Sequence, residues 1–159
     1  MGSVLAAVRL TGVLIWLAAG MAAAACRPDV VELRGSASVS RFAVEVADDP
    51  AERATGLMNR PGLASSAGML FVYETPQHAR FWMRDTLIPL DMIFADQTGL
   101  VTRVHENAIP LDETGIDGGP EVKLVLEING GLARALGIGP GAVLRHPAVA
   151  QDIAKWPCD

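Results

Sequence analysis

The chain has 159 residues, with 13 Lys and Arg against 18 Asp and Glu, a formal charge of −5. A length of this order suits one domain. A mildly acidic balance without Lys/Arg runs argues against nucleic acid and anionic membrane surfaces as partners, and a monomer is expected.

The first segment reads as an address. Arg9 precedes the apolar run Leu10–Ala19, and the small residues Met21–Ala25 follow. A basic start, an apolar core and an A-x-A ending make residues 1–25 a secretory signal peptide. The alternative is a retained, tilted membrane anchor, although residues 10–25 are short for a span. Losing Arg9 leaves 12 of the 13 basic residues against 18 acidic ones, a charge of −6. A periplasmic or secreted protein is the expectation, with no membrane contact beyond the signal peptide.

Two cysteines, Cys26 and Cys158, lie at the ends of the mature chain. In an exported protein such a pair is expected to be bridged, and closing so long a loop stabilises by about 4–5 kcal/mol in loop-entropy models. The competing chemistry is a lipid anchor, because Ala23-Ala24-Ala25 before Cys26 resembles a lipoprotein cleavage site. It departs from that pattern at Ala23, where a larger aliphatic residue is usual.

The elements follow in order. Val30–Arg34 reads as a strand ending at Gly35, and Arg41–Val46 alternates with Phe42, Val44 and Val46 on one face. Asp49-Pro50-Ala51-Glu52 is a helix start, with a cap, a proline at the first helical position and a capping-box acid. That helix is expected to run to about Asn59, with Ala54, Leu57 and Met58 inward and Arg53 and Arg60 flanking. Gly68–Tyr73 is a compact buried strand and Glu74–Gln77 a turn.

The central stretch, Phe81–Phe94, predicts two strands around a turn at Thr86–Leu90, because Pro89 holds Ile88 extended. Alternation puts Phe81 and Met83 on one side and Arg80, Trp82 and Arg84 on the other. Asp96–Gly99 reads as a hairpin turn and Leu100–His105 as the return strand. Residues 107–121, rich in Gly and Pro, read as a long irregular loop and a candidate cover. Val122–Ile128 is a strand, Asn129 caps a short helix to about Leu136, and Gly141–Arg145 is a last strand. Short strands with two short helices predict a mainly β protein. The expectation is a small β-barrel or jelly-roll-like single domain over 26–159.

Several blocks resemble the domain-of-unknown-function-192 family: Glu52–Arg60, Gly68–Phe71, Phe81–Thr86, Ile88–Phe94 and Leu126–Gly131. They span most of the mature chain in the right order. The family's usual Lys-Asn pair is Arg84-Asp85 here, which keeps the cation and replaces an amide by an acid. The resemblance implies a compact β-barrel or jelly-roll-like fold and supplies no reaction.

The chemistry concentrates at Trp82, Arg84, Asp85, Thr86 and Asp91, the candidate ligand-binding residues. Guanidinium groups over an indole offer a planar, cationic surface to a carboxylate or a sugar; without a ligand, the same face is arginine stems covering a large aromatic. Asp91 can pair with Arg84 across the turn and act as acid or base if desolvated, or pin the turn through backbone hydrogen bonds. Glu127 and Asn129, two apart, share a side if both are in the strand. His78, His105 and His146 lack ligand spacing, so no metal is expected. No cofactor motif is present, and there is no G-x-S-x-G.

The leading function is an exported small-ligand-binding or envelope-accessory domain for a polar or anionic ligand. An acid/base enzyme using Asp91 or Asp85, with Arg84 holding an anionic substrate, is the alternative from another class. A protein-interaction module is the third. Intact-mass measurement of the exported chain should show a gain of two hydrogens on reduction; added acyl mass at Cys26 would refute the bridge.

Overall fold

A computed structural model of the chain describes residues 25–158, so the signal-peptide segment lies outside the described residues up to Ala24. The elements are β1 (Val30–Arg34), β2 (Val39–Ala47), α1 (Pro50–Thr55), β3 (Ala67–Phe81), β4 (Leu90–Ala95), β5 (Val101–Ala108), β6 (Ile116–Asn129), α2 (Leu132–Ala135) and β7 (Val143–Arg145). The seven strands form one sheet in the order β5-β4-β6-β3-β2-β1-β7. The sheet curls until its outermost strands meet. Leu100 bridges Val143, and Val101 N–H donates to Ala142 O at 2.8 Å while Leu144 N–H donates to Gly99 O at 2.7 Å. The fold is therefore mainly β, a curled half-barrel with two short helices.

Alternation along the central strands sorts the core onto two faces. Leu70, Ile93, Leu124, Leu126 and Ile128 point into the curl with Val31, Leu33, Phe42 and Leu144. Met69, Phe71, Met92, Phe94 and Val125 point to the other face, with Leu57, Met83 and Leu90 over them. Because both faces are buried, β4 and the inner half of β6 read as continuous apolar runs.

The central stretch is not the hairpin that the sequence predicts. β4 pairs with β5 and β6, and β6 separates it from β3. Both β3 and β4 are antiparallel to β6, so residues 82–89 are a crossover between parallel strands. The expected turn at 74–77 is also absent, since those residues belong to β3. Between the pairs Val72–Leu124 and Gln77–Val122, four residues of β3 face Lys123 alone. That bulge tolerates Pro76, which has no N–H to donate, and Lys123 Nζ donates to Glu74 O at 2.8 Å across it.

The bulge bends the strand sharply. Ten residues of straight strand would separate Phe71 and Phe81 by roughly 33 Å. Their ring centroids are instead 5.3 Å apart, edge to face, and Phe81 lies 5.7 Å from Phe94. The outer halves of β3 and β6 thus form a two-stranded arm folded back onto the sheet. Gly118 permits the close approach, because a Cβ there would drive into the Phe94 ring. With β6 extending to Ile116, the expected loop over 107–121 contracts to residues 109–115.

Asp49 caps α1 as its sequence predicts, its Oδ1 accepting from Ala51 N–H at 2.7 Å and Glu52 N–H at 2.8 Å. Glu52 Oε2 in turn accepts from Asp48 N–H at 3.2 Å. The helix stops at Thr55 rather than near Asn59, because Gly56 takes φ +48°. Ala54 consequently faces solvent, and Leu57 is buried from the turn beyond the helix.

Asn129 does not cap α2; its Nδ2 donates to Leu63 O and Ala64 O at 3.0 and 3.1 Å. The cap comes from Asp91, which has no exposed surface. Its Oδ1 accepts from Asn107 N–H at 2.8 Å and Gly131 N–H at 2.9 Å, and its Oδ2 from Ala133 N–H at 2.7 Å. One carboxylate therefore ties β4, the end of β5 and the start of α2.

The two ends of the described residues are joined by the Cys26–Cys158 disulfide. A bridged Cys26 sulfur has no bond left for a lipid thioether. Buried His146 adds a second tie, with Nε2 donating to Pro28 O at 2.9 Å and Nδ1 accepting from Ala148 N–H at 3.0 Å.

Asp91→Asn should cost about 2–4 kcal/mol, since an amide cannot accept from all three N–H groups and leaves at least one unsatisfied. Urea denaturation measures this, and a loss below about 0.5 kcal/mol would contradict so central a role.

Candidate functional site

The fold-back of the arm opens a cleft of about 250 Å³ against α1 and the turn after it. Its walls are Phe71, Tyr73 and Trp82, with Leu57 beside them; Arg53, Arg80 and Arg84 stand around it, Thr86 closes one side, and Glu127 faces it from the sheet. Part of the lining follows directly from the bend in β3. Residues 71–73 lie before the bulge and 80–86 after it, so the bend brings the two groups face to face.

Trp82 is 46 % exposed, and the Arg84 guanidinium lies over its ring at 4.5 Å from the centroid. This is the cation–aromatic pair that alternation predicts. Arg80 lines the same cleft without stacking on Trp82 and has no ion-pair partner among the described residues. Among the described residues Arg84 has one ion-pair partner, Asp85, at 4.0 Å and without a hydrogen bond. Arg53 is fixed by donating to Asp48 O and, at 2.9 Å, to Val72 O, and it lies over Tyr73 at 5.3 Å. Burial pushes the Tyr73 hydroxyl pKa up, against the pull of the Arg53 charge.

Glu127 is the unusual residue. It occupies an apolar position, paired in register with Met69 on one side and Met92 on the other. It is 4 % exposed, and no hydrogen bond or ion pair engages its carboxyl. Desolvation raises its pKa to about 8, so at neutral pH the floor of the cleft is a carboxylic acid and a donor. The carboxyl oxygens are not sealed in, because they keep accessible surface where they face the cleft.

The predicted residues divide. Trp82, Arg84 and Thr86 meet in the cleft. Asp85 stands outside its lining, exposed, with φ +54° and its carbonyl accepting from Asn59 N–H at 2.7 Å. Asp91 is not in the lining: it pairs with Ile128 and lies on the curl face of the sheet with Ile93, opposite the face of Met92 and Glu127. The expected Arg84–Asp91 pair does not form, because a crossover replaces the hairpin that was to join them. The cover is not drawn from residues 107–121 either; α1 and the turn after it provide it.

Glu127 and Tyr73 carry no site role in the sequence reading. A signal for Glu127 exists, since Leu124-Val125-Leu126-Glu127-Ile128 places one acid inside an otherwise apolar run.

A larger groove of about 650 Å³ lies beside β5 and the 109–115 loop. Two of its acids are hydrogen-bonded, Asp112 to Thr114 N–H at 2.8 Å and Asp117 to Gly119 N–H at 2.8 Å and His78 at 2.7 Å, while Glu106 Oε2 is ion-paired with Arg134 at 2.5 Å without a hydrogen bond. Among the described residues no three His, Cys, Asp or Glu converge as a metal site, and no helix is long and apolar enough to cross a membrane.

Comparison with known proteins agrees with this architecture. The model of the DUF192 family, described as an uncharacterised ACR, matches residues 31–146. The chain belongs to the DUF192 family. A crystal structure of a protein of unknown function from Novosphingobium aromaticivorans is 43 % identical, with a TM-score of 0.71 over 72 % of this chain and 82 % of that one. A second, from Sinorhizobium meliloti, is described as a "putative transcription regulator". It is 38 % identical, with a TM-score of 0.70 over 76 % of this chain and 94 % of that one. No curated protein matches.

The raised pKa fixes the sign of a pH effect. Folded Glu127 keeps its proton up to about pH 8, whereas the unfolded side chain releases it above 4.5. The folded state then holds the extra proton, so stability falls as pH rises through that window. Against Glu127→Gln, the wild type should lose a few kcal/mol between pH 5 and 8 in chemical denaturation; parallel pH profiles would show that the carboxyl is solvated.

Proposed function

We propose that this DUF192 protein is an exported small-ligand-binding domain of the cell envelope, with the Trp82–Arg84 cleft as its site. The observation that carries the reading is the Glu127 carboxyl, almost wholly buried, without a partner and facing the cleft. Burying such a group costs free energy that packing alone would not retain, and a ligand that accepts its hydrogen bond offsets the cost. Aromatic walls with a few convergent polar groups are the usual make-up of a small-molecule site. Export is supported by the signal-peptide pattern and by the Cys26–Cys158 bridge, since disulfides persist in oxidising compartments. The description of the Sinorhizobium relative is not carried over to this chain, which is acidic overall and has no Lys/Arg run.

One feature also favours acid–base chemistry, with Glu127 in the role first considered for Asp91 and Asp85. A carboxyl that stays protonated near neutrality is suited to general acid catalysis. Asp91 is committed to three backbone amides, and Asp85 lies outside the lining. Binding ranks first because no second acid and no histidine, the usual activator of a hydroxyl such as that of Thr86, lines the cleft beside Glu127.

A thermal-shift screen of small acids and sugars should find a stabiliser whose effect disappears in Trp82→Ala. A stabiliser that acts equally on both proteins would place the site elsewhere.

A further inference from the structure

We propose that the ligand of this cleft is a small carboxylate on a ring, held by Arg80 and Arg84 at the rim while Glu127 donates its proton in a hydrogen bond from the floor. This inference rests on the binding role of the cleft and adds the chemical class and the proton.

The charge of the lining supports an anion. Three guanidinium groups border about 250 Å³, and the only acid that lines it is Glu127. Desolvation keeps that acid neutral up to about pH 8, so the cations are not balanced from within. Arg53 is held by two carbonyls. Arg80 has no ion pair, and Arg84 has only Asp85 at 4.0 Å, which leaves both forks able to receive a carboxylate. The size favours a single ring, packed against the aromatic walls while Arg84 keeps its place over Trp82 at 4.5 Å. An acid without a partner at the floor then finds an acceptor, either a carboxylate oxygen or a ring hydroxyl. Ionising Glu127 would put a buried negative charge beside that acceptor, so binding and the proton are linked.

The test uses the exported chain with its disulfide and three pairs of probes at millimolar concentration in calorimetry: galacturonate with galactose, glucuronate with glucose, and benzoate with benzamide. At pH 7 at least one acid should bind at least tenfold more tightly than its uncharged counterpart. Arg84→Gln, an exposed change, should weaken it about tenfold while leaving the melting temperature in place. Above about pH 8 wild-type affinity should fall tenfold per pH unit. Glu127→Gln keeps an N–H donor and should bind with a flat profile over the same range.

Preference for the uncharged partners would overturn the carboxylate assignment and leave the cleft as a binding site. A wild-type profile as flat as that of Glu127→Gln would overturn the proton's part. Binding that ignores both Arg84→Gln and Trp82→Ala, or no binding by any of the six, would remove the cleft reading together with this one.

Discussion

Phe81 stands edge-on to Phe71 and Phe94, at 5.3 and 5.7 Å, and that packing keeps the arm folded onto the sheet. Edge-to-face aromatic pairs contribute about 0.5–1.5 kcal/mol each beyond the area they bury. Two such contacts favour the bent arm over a straight one, which would lose both. The cleft exists only in the bent form. Trp82, Arg84 and Thr86 come after the bend, and Tyr73, Phe71 and Glu127 lie beneath it. Gly118 and the bulge opposite Lys123 make the bend geometrically accessible, and the aromatic contacts make it favourable.

Two acids on neighbouring strands show how position decides chemistry. Asp91 and Glu127 are both buried. Asp91 meets three amide donors converging from Asn107, Gly131 and Ala133, so its negative charge is well solvated by the protein. Glu127 meets Met69 and Met92 across its strand and nothing that donates. The first carboxylate is a fastener for the backbone, and the second makes no hydrogen bond within the described residues. Sequence alone ranks them the other way, because Asp91 stands beside the conspicuous Trp-Met-Arg-Asp block.

The legible parts of the fold are those set by local chemistry. Alternation at Phe42, Val44 and Val46, the Asp49-Pro50 helix start and the Asp96–Gly99 turn all appear where the residues place them. So do Arg84 over Trp82 and the Cys26–Cys158 pairing. The illegible parts depend on pairing at long range. Pro76 and its neighbours carry turn residues, yet the chain continues as a strand because β6 resumes pairing at Gln77. Phe81–Phe94 looks like a hairpin, yet β6, more than twenty residues later, inserts between its halves. No local signal announces an insertion of that kind, so sequence proximity puts the Asp91 carboxylate beside Arg84 although β6 pairing places it elsewhere. Asn129 fails as a cap for a related reason: Asp91, remote in sequence, already occupies the amides it would have served.

The bulged arm also bears on how copies of the chain treat one another. Its two strands pair only with each other beyond Val72 and Val122, so each presents an outer backbone edge, whereas the sheet's own margins are sealed against one another at Leu100 and Val143. Free edges invite strand exchange and fibrous stacking. Here one edge is interrupted by Pro76 and has the Val72 carbonyl occupied by Arg53, and the other has the Asp117 carbonyl occupied by Arg103 at 3.0 Å. The irregularity that shapes the cleft therefore also denies a neighbouring molecule a continuous template, and a smoother arm would lose the cavity and gain a tendency to self-assemble.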